Sequence, residues 1–374
     1  MILGVALALL AWIWLIGFHG KFWQSGPRLD RAGTRAETPE VAIIVPARDE
    51  AAQIAATLRS LLAQDYSGTY QVLLVDDGST DGTGQIARGI ADPRLRVITG
   101  QARPPGWSGK LWAVAQGIAA APPSAALLLL TDADILHAPG HLSALVAAAE
   151  ARGLDLVSEM VALNCASLAE RALVPAFVYF FQLLYPFAWV NDPRKPAAAA
   201  AGGTMLVRRT ALERIGGIGA IKGALIDDVA LARAIKPGGP IWLGHARDAK
   251  SIRPYPDATS IWRMIARTAY VQLGYAPLLL LGTVLGLCVI FVVPPAATLF
   301  GSGPARLVGA AAWILMASSI MPTLRRFGVS VMWAAALPLV AIFYLAATIG
   351  SAVDHYAGRG VRWKGRAYEA GGPA

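Results

Sequence analysis

Charge is what this chain has least of. Only 15% of its 374 residues are Asp, Glu, Lys or Arg, against about a quarter in ordinary soluble domains. The shortfall is concentrated: residues 1–18, 268–305, 307–324 and 327–353 carry no charged side chain. Each run approaches or exceeds the ~20 apolar residues that cross a bilayer, which excludes a wholly soluble protein. Cysteine is scarce as well. Cys165 and Cys288 stand far apart, the second inside an apolar run, so neither a disulfide framework nor a thiolate metal site is available. Such usage fits a reducing compartment. The chain also lacks the G-x-G-x-x-G turn of a dinucleotide site and a complete P-loop, because Gly109-Lys110 has neither the preceding glycine nor the following Ser or Thr. Classical dehydrogenases and P-loop ATPases are therefore unsupported.

The formal net charge is +9, yet no interleaving of basic and aromatic residues marks a nucleic-acid surface. The excess reads instead as Lys and Arg flanking membrane spans and facing anionic lipid. Residues 1–18 have no basic leader and no A-x-A cleavage site. Lys21, Arg28, Arg31 and Arg35 follow them. Residues 1–20 are thus expected to form a transmembrane anchor with the following chain on the cytoplasmic side, with a cleaved leader as the alternative.

Beyond a polar linker over 21–40, apolar strand-like runs alternate with helical ones. "VAIIVPA", "QVLLVDD", "LRVITG" and "ALLLLTDAD" read as strands; "EAAQIAATLRSLLAQ", "DGTGQIARGIA" and "GKLWAVAQGIAAA" read as helices. This alternation predicts an α/β domain with a parallel sheet covered on both faces, in which ligands bind beyond the carboxyl ends of the strands. Acidic residues collect there: "RDE" after the first strand, "DDGST" after the second, "DAD" after the fourth. Residues 172–190 are apolar but contain Pro175 and Pro186. A buried helix, an interfacial or re-entrant helix and a full span all fit, and the interfacial form keeps later motifs on the same side. Residues 259–273 predict a helix with Ile261, Ile265 and Thr268 on one face and Arg263 and Arg267 on another. That suits either a membrane surface or a helix packed on the core. Three spans are expected near 274–296, 306–322 and 329–352. With the first anchor they place the basic tail, 354–374, outside, against the positive-inside tendency.

Each acidic motif has two readings. Asp76 and Asp77 in "VDDGSTDGTG" either cap a helix start or contact a ligand. Asp132 and Asp134 in "TDADIL" either shape a turn or hold a hard cation, since Mg²⁺ and Mn²⁺ take one or two carboxylates plus phosphate oxygens. Asp227 and Asp228 open an apolar helix, where acids are favoured by the helix dipole, or they include a general base. Gly202 and Gly203 allow close approach of backbone to a ligand, or make a turn.

Taken together, "VPARDE" (45–50), "VDDGSTD" (75–81), "DAD" (132–134), "GGTMLVRR" (202–209) and "IDD" (226–228) resemble the family 2 glycosyltransferases, which have the GT-A fold: a Rossmann-like, mostly parallel α/β sheet. The resemblance implies a GT-A domain over 41–258, cytoplasmic, with one N-terminal and three C-terminal transmembrane helices. The anchor, "PPGWSGKLWA" (104–113), "IWRMIARTAYVQL" (261–273), the three spans over 274–353 and "RWKGRAY" near the end look like the bacterial hopanoid-associated glycosyltransferases, a plan shared by ceramide glucosyltransferases. An inner-membrane, multi-pass protein is implied.

Carried over by motif, the uridine of a UDP-sugar would be held by Pro46, Glu50 and Asp77. Asp132, Ala133 and Asp134 would hold the diphosphate and its Mg²⁺ or Mn²⁺, with Asp134 the direct ligand. Lys110 would face the diphosphate, Asp228 would be the base, and Gly202, Gly203 and Asp227 would lie on the acceptor side. Two departures stand out. Asp227 occupies the position usually held by glutamate, and of the Q-x-x-R-W box only Arg267 remains in "MIART", which counts against a processive synthase. Arg267 would then contact phosphate. The implied activity is inverting, metal-dependent transfer from a nucleotide sugar to a lipid, plausibly a hopanoid. Transfer to a polyprenyl phosphate is the enzyme alternative, and a non-catalytic component of lipid assembly the third.

Overall fold

The computed structural model describes residues 2–30 and 38–359, together with backbone at 362–363 and 366–367. Arg31, Arg35 and most of the basic tail, including Lys364 and Tyr368 of "RWKGRAY", lie outside the described residues.

An eight-stranded sheet organises the chain between the apolar ends. Its strands are β1 (Val41–Ala47), β2 (Tyr70–Asp76), β3 (Leu95–Thr99), β4 (Leu127–Thr131), β5 (Ile135–His137), β6 (Leu156–Ala162), β7 (Thr204–Arg208) and β8 (Ile241–Ser251). They lie in the order β3-β2-β1-β4-β7-β6-β8-β5. Every residue of β1 and β4 is buried, as both faces of a parallel sheet require. β1 runs parallel to β2 and to β4, with Val41 opposite Tyr70 and Leu127. The expected parallel sheet is thus right for this half. The other half is mixed: β7 is antiparallel to β4 and β6, and β5 to β8. This reversal positions the site. Because Thr204 pairs with Thr131, the Gly202–Gly203 turn leading into β7 lies at the carboxyl end of β4, beside Asp132.

Helices α1 (Ile2–Phe18), α2 (Ile54–Leu62), α3 (Thr83–Arg88), α4 (Gly109–Ala120) and α5 (His141–Arg152) come next in chain order. In α2, Ile54, Leu58, Leu61 and Leu62 are buried, the spacing of one helical face. α4 starts at Ser108, whose hydroxyl accepts the Leu111 N–H at 3.2 Å, so Lys110 sits in its first turn at the strand ends. Gly117 lets that helix approach the sheet, for a Cβ there would stand 2.5 Å from Ile44 Cγ2.

α6 (Leu168–Leu184) and α7 (Phe187–Val190) cover residues 172–190. The segment is packed within the protein along much of its length. Val174 and Tyr179 are fully buried, the Tyr179 hydroxyl is 2.7 Å from that of Ser319, and Tyr344 donates to the Leu173 carbonyl at 2.9 Å. α6 is therefore gripped between the sheet domain and the apolar helices. Its first turn carries a capping box, with Ser167 accepting the Glu170 N–H. Glu170 in turn accepts N–H groups from Ala166 and Ser167 at 2.8 Å and, from far along the chain, Tyr255 at 2.7 Å.

After α8 (Arg209–Arg214) and α9 (Asp227–Ile235) come α10 (Ala258–Ala266) and α11 (Ala269–Gln272). Ile261 and Ile265 are buried and pack with residues of α6 and of α15 (Leu337–Tyr356), so the apolar face of 259–273 meets protein. Three helical stretches are long and apolar enough to span a membrane: Pro277–Phe300, Gly303–Arg326 and Val331–Tyr356. The first comprises α12 (Pro277–Leu287), a π-turn at Cys288–Val292 and α13 (Val293–Phe300); the second is α14 (Gly303–Arg326). α1 is shorter, at 17 residues. The expected linker is not free throughout: the Pro27 carbonyl accepts the His245 N–H of β8 at 2.7 Å.

Pro294 has no N–H, so the Ile290 carbonyl four residues earlier loses its helical donor. The Trp12 indole of α1 supplies one instead, donating to Ile290 O at 2.7 Å. Backbone groups have no water to turn to inside a bilayer. Trp12→Phe keeps most of the ring and removes the donor. It is expected to cost about 1 kcal/mol, read as a lower melting temperature of the detergent-solubilised protein.

Candidate active site

The loops beyond β1 and β2 knit together first. The Asp49 and Glu50 N–H groups donate to Ser79 Oγ at 3.0 Å and to Thr83 Oγ1 at 2.8 Å, and Ala51 donates to Asp81 Oδ2 at 2.8 Å. Asp76 accepts the Ser79 N–H and Asp81 the Thr83 N–H, each at 3.0 Å. These two acids take the turn-capping role, which leaves Asp77. It is buried, its N–H bonds the Ala47 carbonyl at 2.8 Å, and its carboxylate lies 3.9 Å from Arg48.

The second cluster lies at the end of β4. Lys110 Nζ is 2.9 Å from Asp132 Oδ1 and 3.0 Å from Asp227 Oδ2, so one cation joins the D-x-D to the paired acid. Asp228 Oδ2 accepts the Gly202 N–H at 2.8 Å, and its other oxygen accepts the Val229 N–H at 2.8 Å. A Cβ at Gly202 would stand 3.3 Å from Lys110 Nζ and 3.4 Å from Asp228 Oδ2, a tight fit between the two side chains. Pro46, Lys110, Asp132, Gly202 and Asp227 line one cleft. Gly203 stands directly behind, its own Cβ position 3.0 Å from Val161.

A third element was not anticipated. Arg253, just past β8, places Nε 2.9 Å from Asp134 Oδ2 and Nη2 2.6 Å from Glu50 Oε1. Ser251 donates to the same Asp134 oxygen at 3.0 Å. One guanidinium thus ties the first motif to the D-x-D. A signal existed, since an arginine directly follows a strand and precedes Pro254. Nothing in its spacing named its partners.

Two residues of the expected site stand apart from this cluster. Ala133 is buried in the cluster around β1 and α2, and its carbonyl accepts the Thr57 hydroxyl at 2.8 Å. Asp132 lines the cleft, Asp134 turns to Ser251 and Arg253, and Ala133 faces the buried cluster. Arg267 is exposed beyond α10, and its side chain bonds none of these acids among the described residues.

Carboxylates outnumber cations here, and protonation responds. Desolvation in the cleft, then the neighbouring charge of Asp227, raises the Asp228 pKa to about 6 against the pull of Lys110. Desolvation also raises Asp132, opposed by Lys110. Burial alone would lower Lys110, but Asp132, Asp227 and Asp228 hold it well above its usual range. A base with the pKa of Asp228 loses its charge below about pH 6, rather than near 4 as an ordinary Asp does. Activity that needs it ionised should fall as pH drops through about 6 and stay flat above; a pH–rate profile of the transfer step measures this.

The acids fit a divalent cation. Both hydrogen bonds of Asp134 fall on Oδ2, and Lys110 meets Asp132 at Oδ1, so each carboxylate keeps one oxygen uncommitted among the described residues. No cluster of three or more metal-ligating side chains occurs among those residues. Two carboxylates completed by diphosphate oxygens and water are what Mg²⁺ or Mn²⁺ accepts.

Comparison with known proteins agrees. The family model for glycosyl transferase family 2 matches residues 42–216. The glycosyltransferase AglE of Haloferax volcanii is 30% identical over 139 residues, 36% of this chain and 44% of that protein. The succinoglycan biosynthesis protein ExoO of Rhizobium meliloti is 32% identical over 138 residues, 37% of each chain. This chain therefore spans less than half the length of either relative. Among solved structures, a mannosyltransferase of Pyrobaculum calidifontis, PcManGT, in complex with GDP-Man and Mn²⁺, superposes with a TM-score of 0.62 at 20% identity, covering 95% of this chain and 99% of that one. That likeness concerns the fold. Residues 42–216 thus match the family 2 glycosyltransferase model, and the sheet that carries them has the GT-A arrangement.

Proposed function

We propose that the protein transfers a sugar, with inversion, from a nucleotide-sugar donor to a lipid acceptor at a membrane. The observation that carries the reading is the cluster of Asp228, Lys110 and Asp132: a base with its pKa raised to about 6 beside a cation and the D-x-D acids. Asp228 takes the acceptor hydroxyl proton as that oxygen bonds the anomeric carbon. The bond from that carbon to the diphosphate breaks, and its electron pair leaves with the nucleoside diphosphate. Lys110 faces the leaving charge. A divalent cation, held by Asp132 and Asp134, would neutralise the diphosphate. Glu50 and Asp77 would hold the nucleoside, with Pro46 in the cleft wall; uridine is the expected nucleoside because UDP-sugars are the family's usual donors. Gly202 and Gly203 keep the acceptor side open. A lipid acceptor is supported by α6, which joins this domain to the apolar bundle. A hopanoid is the acceptor class that the overall layout favours, with the catalytic domain on the cytoplasmic side of a bacterial inner membrane.

Calorimetry of UDP with the detergent-solubilised protein, with and without Mn²⁺, tests the donor half. Binding that needs the metal and disappears in Asp134→Ala is expected. Absence of UDP binding under any metal condition rejects UDP. GDP, the nucleotide in the PcManGT complex, is then the next ligand to titrate.

A further inference from the structure

Behind the cleft lies a buried polar chain that the transfer reaction does not use. His141 Nε2 is 2.6 Å from Glu159 Oε2, and His141 Nδ1 is 2.8 Å from His137 Nδ1. His137 Nε2 is 3.0 Å from Thr131 Oγ1, which donates to the Gly203 carbonyl at 2.8 Å. Glu159, His141, His137 and Thr131 are all buried. The chain begins on β6 and ends on the turn whose Gly202 N–H holds Asp228.

A proton count defines its state. Each contact between two lone-pair atoms at these distances needs one proton, and the carbonyl brings none. Two neutral imidazoles and the hydroxyl supply one fewer than the contacts require when Glu159 is ionised. One further proton on the Glu159–His141 pair fills every contact and makes the whole chain neutral, the state that burial favours. Wherever in that pair the proton sits, His141 then donates to His137, His137 to Thr131 and Thr131 to the Gly203 carbonyl. Burial and the neighbouring His141 push the His137 pKa well down, in keeping with a neutral His137.

We propose that Glu159, His141, His137 and Thr131 are positioning residues: a proton-filled chain that fixes the Gly202–Gly203 turn and thereby aims Asp228. It does not conduct protons to the reaction, because it ends on a carbonyl. The proposal rests on the transfer reading for its kinetic test, so a second, function-independent readout is included.

Glu159→Gln can present its amide N–H to His141 and supply the missing proton, whereas Glu159→Leu cannot. Thr131→Ser keeps the hydroxyl and Thr131→Val removes it. The Leu and Val variants are expected to lose about tenfold or more in kcat, because small misplacements of reacting groups are costly, while metal-dependent nucleotide binding stays within about threefold. The Gln and Ser variants should remain near wild type. Both defects sever one chain, so the double variant Glu159→Leu/Thr131→Val should be no worse than the poorer single one. Hydrogen exchange of the peptide holding Gly202 should be slow in wild type and the Gln variant, and fast in the Leu and Val variants. If Glu159→Leu melts below the assay temperature, the Thr131 pair decides. Wild-type kcat and exchange in Thr131→Val, or additive losses in the double variant, overturn the proposal. A wild type without transferase activity overturns the functional reading alone, and exchange then still decides the chain.

Discussion

Asp228→Asn is expected to lower kcat by about 10²–10⁴-fold, the range for loss of a positioned general base, while leaving nucleotide affinity near wild type. Asparagine has nearly the shape of aspartate, and its carbonyl oxygen can still accept the Gly202 N–H that Asp228 Oδ2 accepts at 2.8 Å. What it loses is basicity, so the acid limb near pH 6 should disappear along with most of the rate. Transfer of labelled sugar into extracted lipid, with calorimetry on the same preparation, separates the two quantities. The experiment also chooses between acceptors. A hydroxyl must lose its proton to become a good nucleophile; a phosphate oxygen is already ionised at neutral pH. Full activity in Asp228→Asn would therefore move the assignment to a polyprenyl phosphate acceptor.

Arg253→Ala should be the most damaging change to stability. Glu50 and Asp134 are 5% and 6% exposed, and the guanidinium between them bonds both. Removing one partner of a buried ion pair costs about 3–5 kcal/mol. The Arg253 side chain is 31% exposed, so solvent screening puts the expected loss at the low end, about 3 kcal/mol. A thermal melt in detergent measures it. Because a divalent cation at Asp134 could stand in for the lost charge, Mn²⁺ should raise the melting temperature of Arg253→Ala more than that of the wild type. The gain should vanish in Arg253→Ala/Asp134→Ala. An unchanged melt for Arg253→Ala would mean that the two carboxylates need no cation between them.

Much of this was legible from the chain alone. β1 and β4 announce themselves as unbroken apolar runs because both faces are covered. Asp132, Asp134, Asp227 and Asp228 stand where strands or helices begin or end, so their clustering follows from the sheet. The direction of β7 was not legible, because a strand's own pattern does not encode its orientation; the path of the chain before it does. The setting of residues 172–190 was not legible for a related reason. A helix pressed between a sheet domain and an apolar bundle needs the same composition as one lying on lipid. Arg253 escaped notice because its partners, Glu50 and Asp134, belong to two motifs far earlier in the chain. Ala133 was included by motif, although its side chain is buried against β1 and α2. Arg267 was carried over from a box of which little else survives.

The bond from the Tyr255 N–H to Glu170 bears on how the protein would be handled. Arg253 lies two residues from that N–H, and Glu170 belongs to a helix whose far side is held by Tyr344 and Ser319 of the apolar bundle. The seat of the arginine is thus mechanically continuous with helices long and apolar enough to span a membrane. A force on α14 or α15 would be felt at Glu50 and Asp134 through α6 without any molecule entering the cleft. A chain shortened to its soluble part would leave Tyr179 and Val174 facing water and loosen that seat, so turnover numbers taken in different detergents would describe differently tensioned enzymes.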